Sequence, residues 1–115
     1  MLASKYHLSG KKLFEKVLKE GKFVQSDSFG LAFLESGDKD ISHFGFIIST
    51  KVAKEAVNRN RVKRALSEAV RYQMDKVKNG YDVVFLVKGS SVKASTERLM
   101  NEVGIALEKA GIIKN

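Results

Sequence analysis

The sequence predicts an α+β fold: a small mixed four-stranded sheet with helices packed on it, in the order αβββαβα. Two kinds of segment lead there. Apolar residues recur at helical spacing in three stretches, opening near Gly10, near Glu55 and near Ser95. Between them lie apolar runs rich in Phe, Val and Ile, bounded by turn residues. No linker, repeat or low-complexity segment interrupts the pattern, so residues 1–115 are expected to form one domain. That length is enough for a hydrophobic core without covalent staples.

Ser9 is positioned to cap a first helix that starts near Gly10, carries Leu13, Phe14, Val17 and Leu18 on one side, and stops at Gly21. Phe14 and Leu18 are one turn apart and would meet the same neighbour. Phe23-Val24 and Phe29 to Leu34 read as strands separated by a Ser26-Asp27-Ser28 bend. In the second strand Phe29, Leu31 and Phe33 share a bulky face, while Gly30 and Ala32 leave the other nearly bare. A bare strand surface marks a place where another element or a ligand comes close. Ser36 to Asp40 is a polar turn into a third strand, Ile41 to Ser49, with Gly45, Ile47 and Ser49 on one face.

The second helix is expected to begin between Glu55 and Asn58 and to run to Val77. Stepping 100° per residue from Val62 places Leu66, Ala69, Val70 and Val77 in one apolar sector. Asn60, Arg64, Ser67 and Arg71 fall opposite, with Arg61 and Lys63 on the flanks. Asn79-Gly80 then turns the chain into Tyr81 to Val87, whose apolar run suits a central strand buried on both faces. After a loop at Lys88 to Ser91, Ser95 or Thr96 caps a last helix with the stripe Leu99, Met100, Val103, Ala106, Leu107 and Ala110, ending at Gly111. Gly104 inside it suggests close packing.

The chemistry concentrates in Arg59-Asn60-Arg61-Val62-Lys63-Arg64, four cations in six residues. Solvated helix faces normally alternate sign, because like charges at i, i+4 repel. Here the hexapeptide holds no acid and the first one after it, Glu68, arrives late, and cations near a helix start oppose the helix dipole. A local rule broken in this way points to a polyanion partner. Lys51 and Lys54 extend the positive surface, and 21 Lys+Arg against 13 Asp+Glu give a net charge of +8.

Other classes are disfavoured. Without cysteine there is no disulfide framework, cysteine metal site or thiol catalyst, and His7 and His43 alone do not make a zinc site. No apolar stretch of roughly 18 residues occurs, so neither membrane spanning nor export is expected, and the cytoplasm is the simplest compartment. Nucleophile-elbow, P-loop, dinucleotide and zinc motifs are absent, and Asp27, Glu35, Asp38 and Asp40 lie in turn sequences. Catalysis, if any, belongs to the partner.

The ordered set Phe14, Val17, Leu18, Gly21-Lys22, Phe44 to Val52, Ala56 to Arg64 and Gly80 to Val84 resembles the protein subunit of bacterial ribonuclease P. The resemblance spans roughly residues 8 to 113 and centres on the Arg-Asn-Arg-Val-Lys-Arg signature. It implies binding to a catalytic RNA that removes the 5′ leader from precursor tRNA, with magnesium ions held mainly by the RNA. It also implies a left-handed βαβ crossover, shared with the second domain of some ribosomal proteins, against the right-handed rule. By the same resemblance Lys51, Lys54, Arg59, Asn60, Arg61, Lys63, Arg64 and Arg71 would face the RNA subunit. Phe14, Leu18, Gly30, Ala32 and Ser49 would line a cleft for the single-stranded leader.

Three departures from the family pattern stand out. Gly30 and Ala32 are small where a bulky cleft residue is common, Ser67 replaces an arginine that would add a phosphate contact, and Ala53 replaces a glycine in the approach loop. The same basic helix would also serve an RNA-binding ribosomal or assembly protein. A DNA-binding protein fits less well, since no helix-turn-helix partner is evident.

Overall fold

A computed structural model describes residues 2–51 and 54–114. Its elements are α1 (Lys11–Glu20), β1 (Lys22–Gln25), β2 (Phe29–Glu35), β3 (His43–Ile47), α2 (Ala56–Gln73), β4 (Tyr81–Val87) and α3 (Thr96–Lys109), with short 3-10 turns at Ser4–Tyr6 and Gly89–Lys93. The sheet order is β1-β2-β4-β3. β1 with β2 and β2 with β4 pair antiparallel; β3 and β4 pair in parallel, with α2 as the crossover between them. The expected α+β architecture and mixed four-stranded sheet are both present.

Register assigns the two faces. Lys22, Val24, Phe29, Leu31, Phe33, Val83, Phe85, Val87, Phe44 and Phe46 lie on one side of the sheet. Most of these apolar side chains pack with Val62, Leu66 and Val70 of α2 and Leu99, Val103 and Leu107 of α3 in the main core. Phe85 is central: its ring lies 5.1 Å from Phe29 in a tilted pair and 5.1 Å from Phe46 in a stacked one. Each such pair adds about 0.5–1.5 kcal/mol beyond burial. On the opposite side, Leu8, Val17, Ala32 and Val84 make a smaller core beneath α1. β4 is therefore buried on both faces over its middle, as its continuous apolar run requires.

Several local expectations are corrected. The cap of α1 is Gly10 at φ 95°, without a side-chain cap; Ser9 lies one residue too early to reach the first-turn amides. α2 ends at Gln73 rather than Val77, because the chain turns out at Met74 to Lys76; Val77 is nonetheless buried and bridges to Ile113. Ser67 does not face solvent but is 3% exposed, so α2 is covered over more of its circumference than its apolar stripe implies. β3 is shorter than Ile41 to Ser49. A Cβ at Gly104 would meet only the Gln73 Nε2 at 3.7 Å, an ordinary contact, so no close packing demands glycine there. At the start of α3, Ser95 caps as expected: its hydroxyl accepts from the Arg98 amide at 3.1 Å. The approach-loop residues Val52 and Ala53 lie outside the described residues.

Candidate nucleic-acid interface

α2 carries Val62, Ala65, Leu66, Ala69 and Val70 inward, which turns Asn60, Lys63 and Arg64 of the signature outward. The helix starts at Ala56, so Arg59 is its fourth residue and Arg64 its ninth. The cations thus lie beyond the first turn, where the helix dipole acts, and the conflict with the dipole is weaker than the sequence implied.

The predicted contact residues fall into three groups. Asn60, Lys63 and Arg64 are exposed, and Lys63 and Arg64 make no hydrogen bond or ion pair among the described residues. Lys51 and Lys54 are exposed on the approach to the helix, where the Lys54 carbonyl accepts from Arg59 Nη1 at 3.0 Å. Arg61 and Arg71 are engaged. Arg61 donates from Nη2 to the Val92 carbonyl at 2.8 Å and from Nη1 to the Ala94 carbonyl at 3.2 Å, tying α2 to the chain that enters α3. Arg71 donates from Nε at 3.0 Å and Nη2 at 2.8 Å to one oxygen of Glu68, and its guanidinium carbon sits 5.0 Å from the Tyr72 ring centroid. That hydrogen-bonded partner holds the Glu68 carboxyl down at about 2, so it stays ionised.

The leader-cleft candidates lie on the other face of the sheet. Paired positions form three rows: Gln25-Gly30-Leu86-Ile47, Phe23-Ala32-Val84-Gly45, and Leu34-Asp82-His43. Phe14 of α1 is half-buried with its ring directly on Gly45; a Cβ there would come within 2.3 Å of Phe14 Cζ. Ala32 is 0% exposed beneath α1, alongside Val17 and Val84. Leu18 is half-buried in the same cluster. Gly30 is one row away and covered by the Gln25 side chain, whose Oε1 would lie 3.2 Å from a Cβ. Ser49 is exposed beyond the end of β3. The bare strand surface is therefore a seat for α1 and Gln25, and what remains accessible includes Phe14, Leu18, Leu86 and Ile47, all half-buried, and the exposed Phe23 of β1. Sequence periodicity placed Ile47 on this face but could not pair it with Leu86, since register is set by the assembled sheet.

At the far row His43 Nδ1 lies 3.6 Å from Asp82 Oδ1. Burial pushes the Asp82 carboxyl up, partly offset by His43 and by Lys16 of α1. The β1–β2 bend is fastened to α3 by Glu102, whose carboxylate accepts from Ser26 Oγ at 2.5 Å, the Ser28 amide at 2.9 Å and Ser28 Oγ at 2.6 Å. Burial pushes Glu102 up, but these three donors outweigh it and hold its carboxyl below the usual range. Among the described residues no group of three or more His, Cys, Asp and Glu could hold a metal ion, and no helix is long and apolar enough to cross a membrane.

One further feature escaped the sequence reading. Val57, Asn60, Arg64, Ala65 and Tyr72 of α2 meet Met100 of α3 around an open groove of about 610 Å³. Tyr72 lies outside the core sector; that off-stripe aromatic beside the signature was the available signal.

The mixed sheet with a cationic crossover helix defines a basic α+β domain with a surface suited to a polyanion. The chain belongs to the ribonuclease P protein family, whose model matches residues 2–111. It is 34% identical over 102 residues to the ribonuclease P protein component of Alkaliphilus oremlandii, covering 89% of this chain and 88% of that one. Identity is also 34% over 111 residues to the component from Clostridium kluyveri, covering 95% and 97%. A solved structure of the Staphylococcus aureus RNase P protein matches at a TM-score of 0.87 with 21% identity, covering 95% of this chain and 98% of that one, a likeness of fold.

Proposed function

We propose that this chain assists a catalytic RNA in the endonucleolytic removal of the 5′ leader from precursor tRNA, docking the RNA through α2 and meeting the leader on the α1 face. The observation that carries the reading is the exposed set Asn60, Lys63 and Arg64, presented on a helix whose other side is locked into the core of a family member. Two unpaired cations projecting from a rigid support suit phosphate oxygens, and each neutralised phosphate releases counterions. Lys51 and Lys54 continue the positive surface toward the helix start.

The leader runs past the exposed edge of Phe14 and over Leu18, Leu86 and Ile47, with Ser49 at the strand end. An aromatic edge on an apolar floor accepts bases without demanding one sequence. Ala32 shapes this surface from below by letting α1 sit close. The attacking water and its magnesium ions belong to the RNA; the protein positions the substrate and compensates backbone charge. Such a complex works in the cytoplasm.

The test is reconstitution with a bacterial ribonuclease P RNA at low magnesium. Faster cleavage of precursor tRNA at the mature 5′ end is expected. No gain overturns the reading in favour of another RNA-binding role, and cleavage by the chain without RNA overturns the assignment of chemistry to the RNA.

A further inference from the structure

The groove between α2 and α3 has the parts of a prebuilt stacking site. Arg64, Glu68 and Tyr72 recur every four residues along one flank of α2, with Val57 at the near end of the same flank and Met100 across from them. Tyr72 is 64% exposed and lines the groove at the far end of this flank, and Val57 is 75% exposed at the near end. The tyrosine ring is also held in place. Glu68 fixes the Arg71 guanidinium by two hydrogen bonds, and Arg71 lies over the ring. The groove's volume, about 610 Å³, is within the range of small-ligand sites. Arg64, unpaired among the described residues, and the Asn60 amide stand at its rim.

We propose that this groove receives one unpaired nucleotide of the RNA subunit, its base stacked on Tyr72 against Met100 and its phosphate on Arg64, about two turns nearer the helix start. This rests on the docking of the RNA through α2 and deepens it: the helix holds a base as well as phosphates. With the Glu68 carboxylate of the lining already paired to Arg71, Arg64 at the rim favours a polyanion over an apolar peptide, and the apolar walls select a base that is not already paired. Arg71 leaves its own phosphate-binding role to orient the ring. Arg61, locked to the Val92 and Ala94 carbonyls, fixes the spacing of the groove's two walls.

The experiment measures affinity for a transcribed bacterial ribonuclease P RNA, and its salt dependence, for the wild type, Tyr72→Ala, Tyr72→Phe and Arg64→Ala. Circular dichroism checks the fold, and the exposure of Tyr72 makes its loss structurally mild. Tyr72→Ala is expected to weaken binding roughly 5- to 150-fold with an unchanged salt slope, while Tyr72→Phe binds like the wild type. Arg64→Ala is expected to lower the slope. Full affinity for Tyr72→Ala alongside a weakened Arg64→Ala overturns the groove and leaves α2 docking intact. If neither matters, the docking reading falls with it. A Tyr72→Phe loss equal to that of Tyr72→Ala overturns stacking, since the ring is retained.

Discussion

Arg61 and Arg64 stand three positions apart on one helix, yet their surroundings give them different work. The Arg61 fork spans two carbonyls, and hydrogen bonds to a charged group are worth about 1.5–3 kcal/mol each where solvent is limited. Arg61→Ala is therefore predicted to lower unfolding free energy by about 1–3 kcal/mol in urea titrations, and Arg61→Lys to recover little, because an ammonium cannot span both acceptors. Arg64→Ala should leave stability within about 0.5 kcal/mol of the wild type. Its effect belongs in binding: the slope of log affinity against log salt should fall by about 1. The hexapeptide was legible as a polyanion site from its unbroken positive charge. Which of its cations were already occupied was not, because the Val92 and Ala94 carbonyls arrive from about thirty residues downstream. Ser67 makes the same point. Its helical angle placed it outward, but it is 3% exposed, so the serine itself is part of the packing.

At the scale of elements, α1 is held to the sheet by small residues beneath it. Gly45 accommodates the Phe14 ring and Gly21 lies within 2.7 Å, by its hypothetical Cβ, of the Phe33 carbonyl. Gly45→Ala should therefore displace Phe14 and alter the α1 face without disturbing α2. Phe14→Ala is predicted to reduce affinity of the reconstituted complex for precursor tRNA while sparing mature tRNA, with circular dichroism confirming the fold; equal losses would contradict a leader role. Gly104 gives the opposite case. Its Cβ has room, so Gly104→Ala should stabilise α3 by about 0.5–1 kcal/mol, read as a higher urea midpoint. Helices and strands were legible because their periods of 3.6 and 2 survive in the apolar pattern. Their ends were less so: Gly10 at positive φ replaced Ser9 as the cap, and Val77 kept its burial after leaving the helix. Bareness at Gly30, Ala32 and Gly45 was visible too, but not that α1 and Gln25 fill it.

Across the whole molecule, the two faces of one sheet separate the proposed tasks: α2 and α3 on one side toward the RNA subunit, α1 on the other toward the leader. Acid should loosen the first side. The Glu68 carboxyl is held at about 2 by Arg71, and Glu102 is held below its usual range by Ser26 and Ser28. A carboxyl depressed in the folded state stabilises it above the unfolded value and loses that contribution as pH falls. Stability is thus predicted to decline as pH falls below the ordinary carboxylate range, with Glu68 protonating only near 2. Glu102→Gln should flatten the upper part of that decline in thermal melts, since Glu102 links the β1–β2 bend to α3.

In the proposed complex, exposed cations of α2 join this chain to a catalytic RNA. That docking is tested most directly by precursor-tRNA cleavage at low magnesium with one bacterial ribonuclease P RNA, comparing the wild type with Lys63→Ala/Arg64→Ala at equal, limiting protein. Strong stimulation by the wild type and little by the double variant is expected, recovered at higher protein concentration because the chemistry is intact. Equal stimulation by both proteins would contradict that docking.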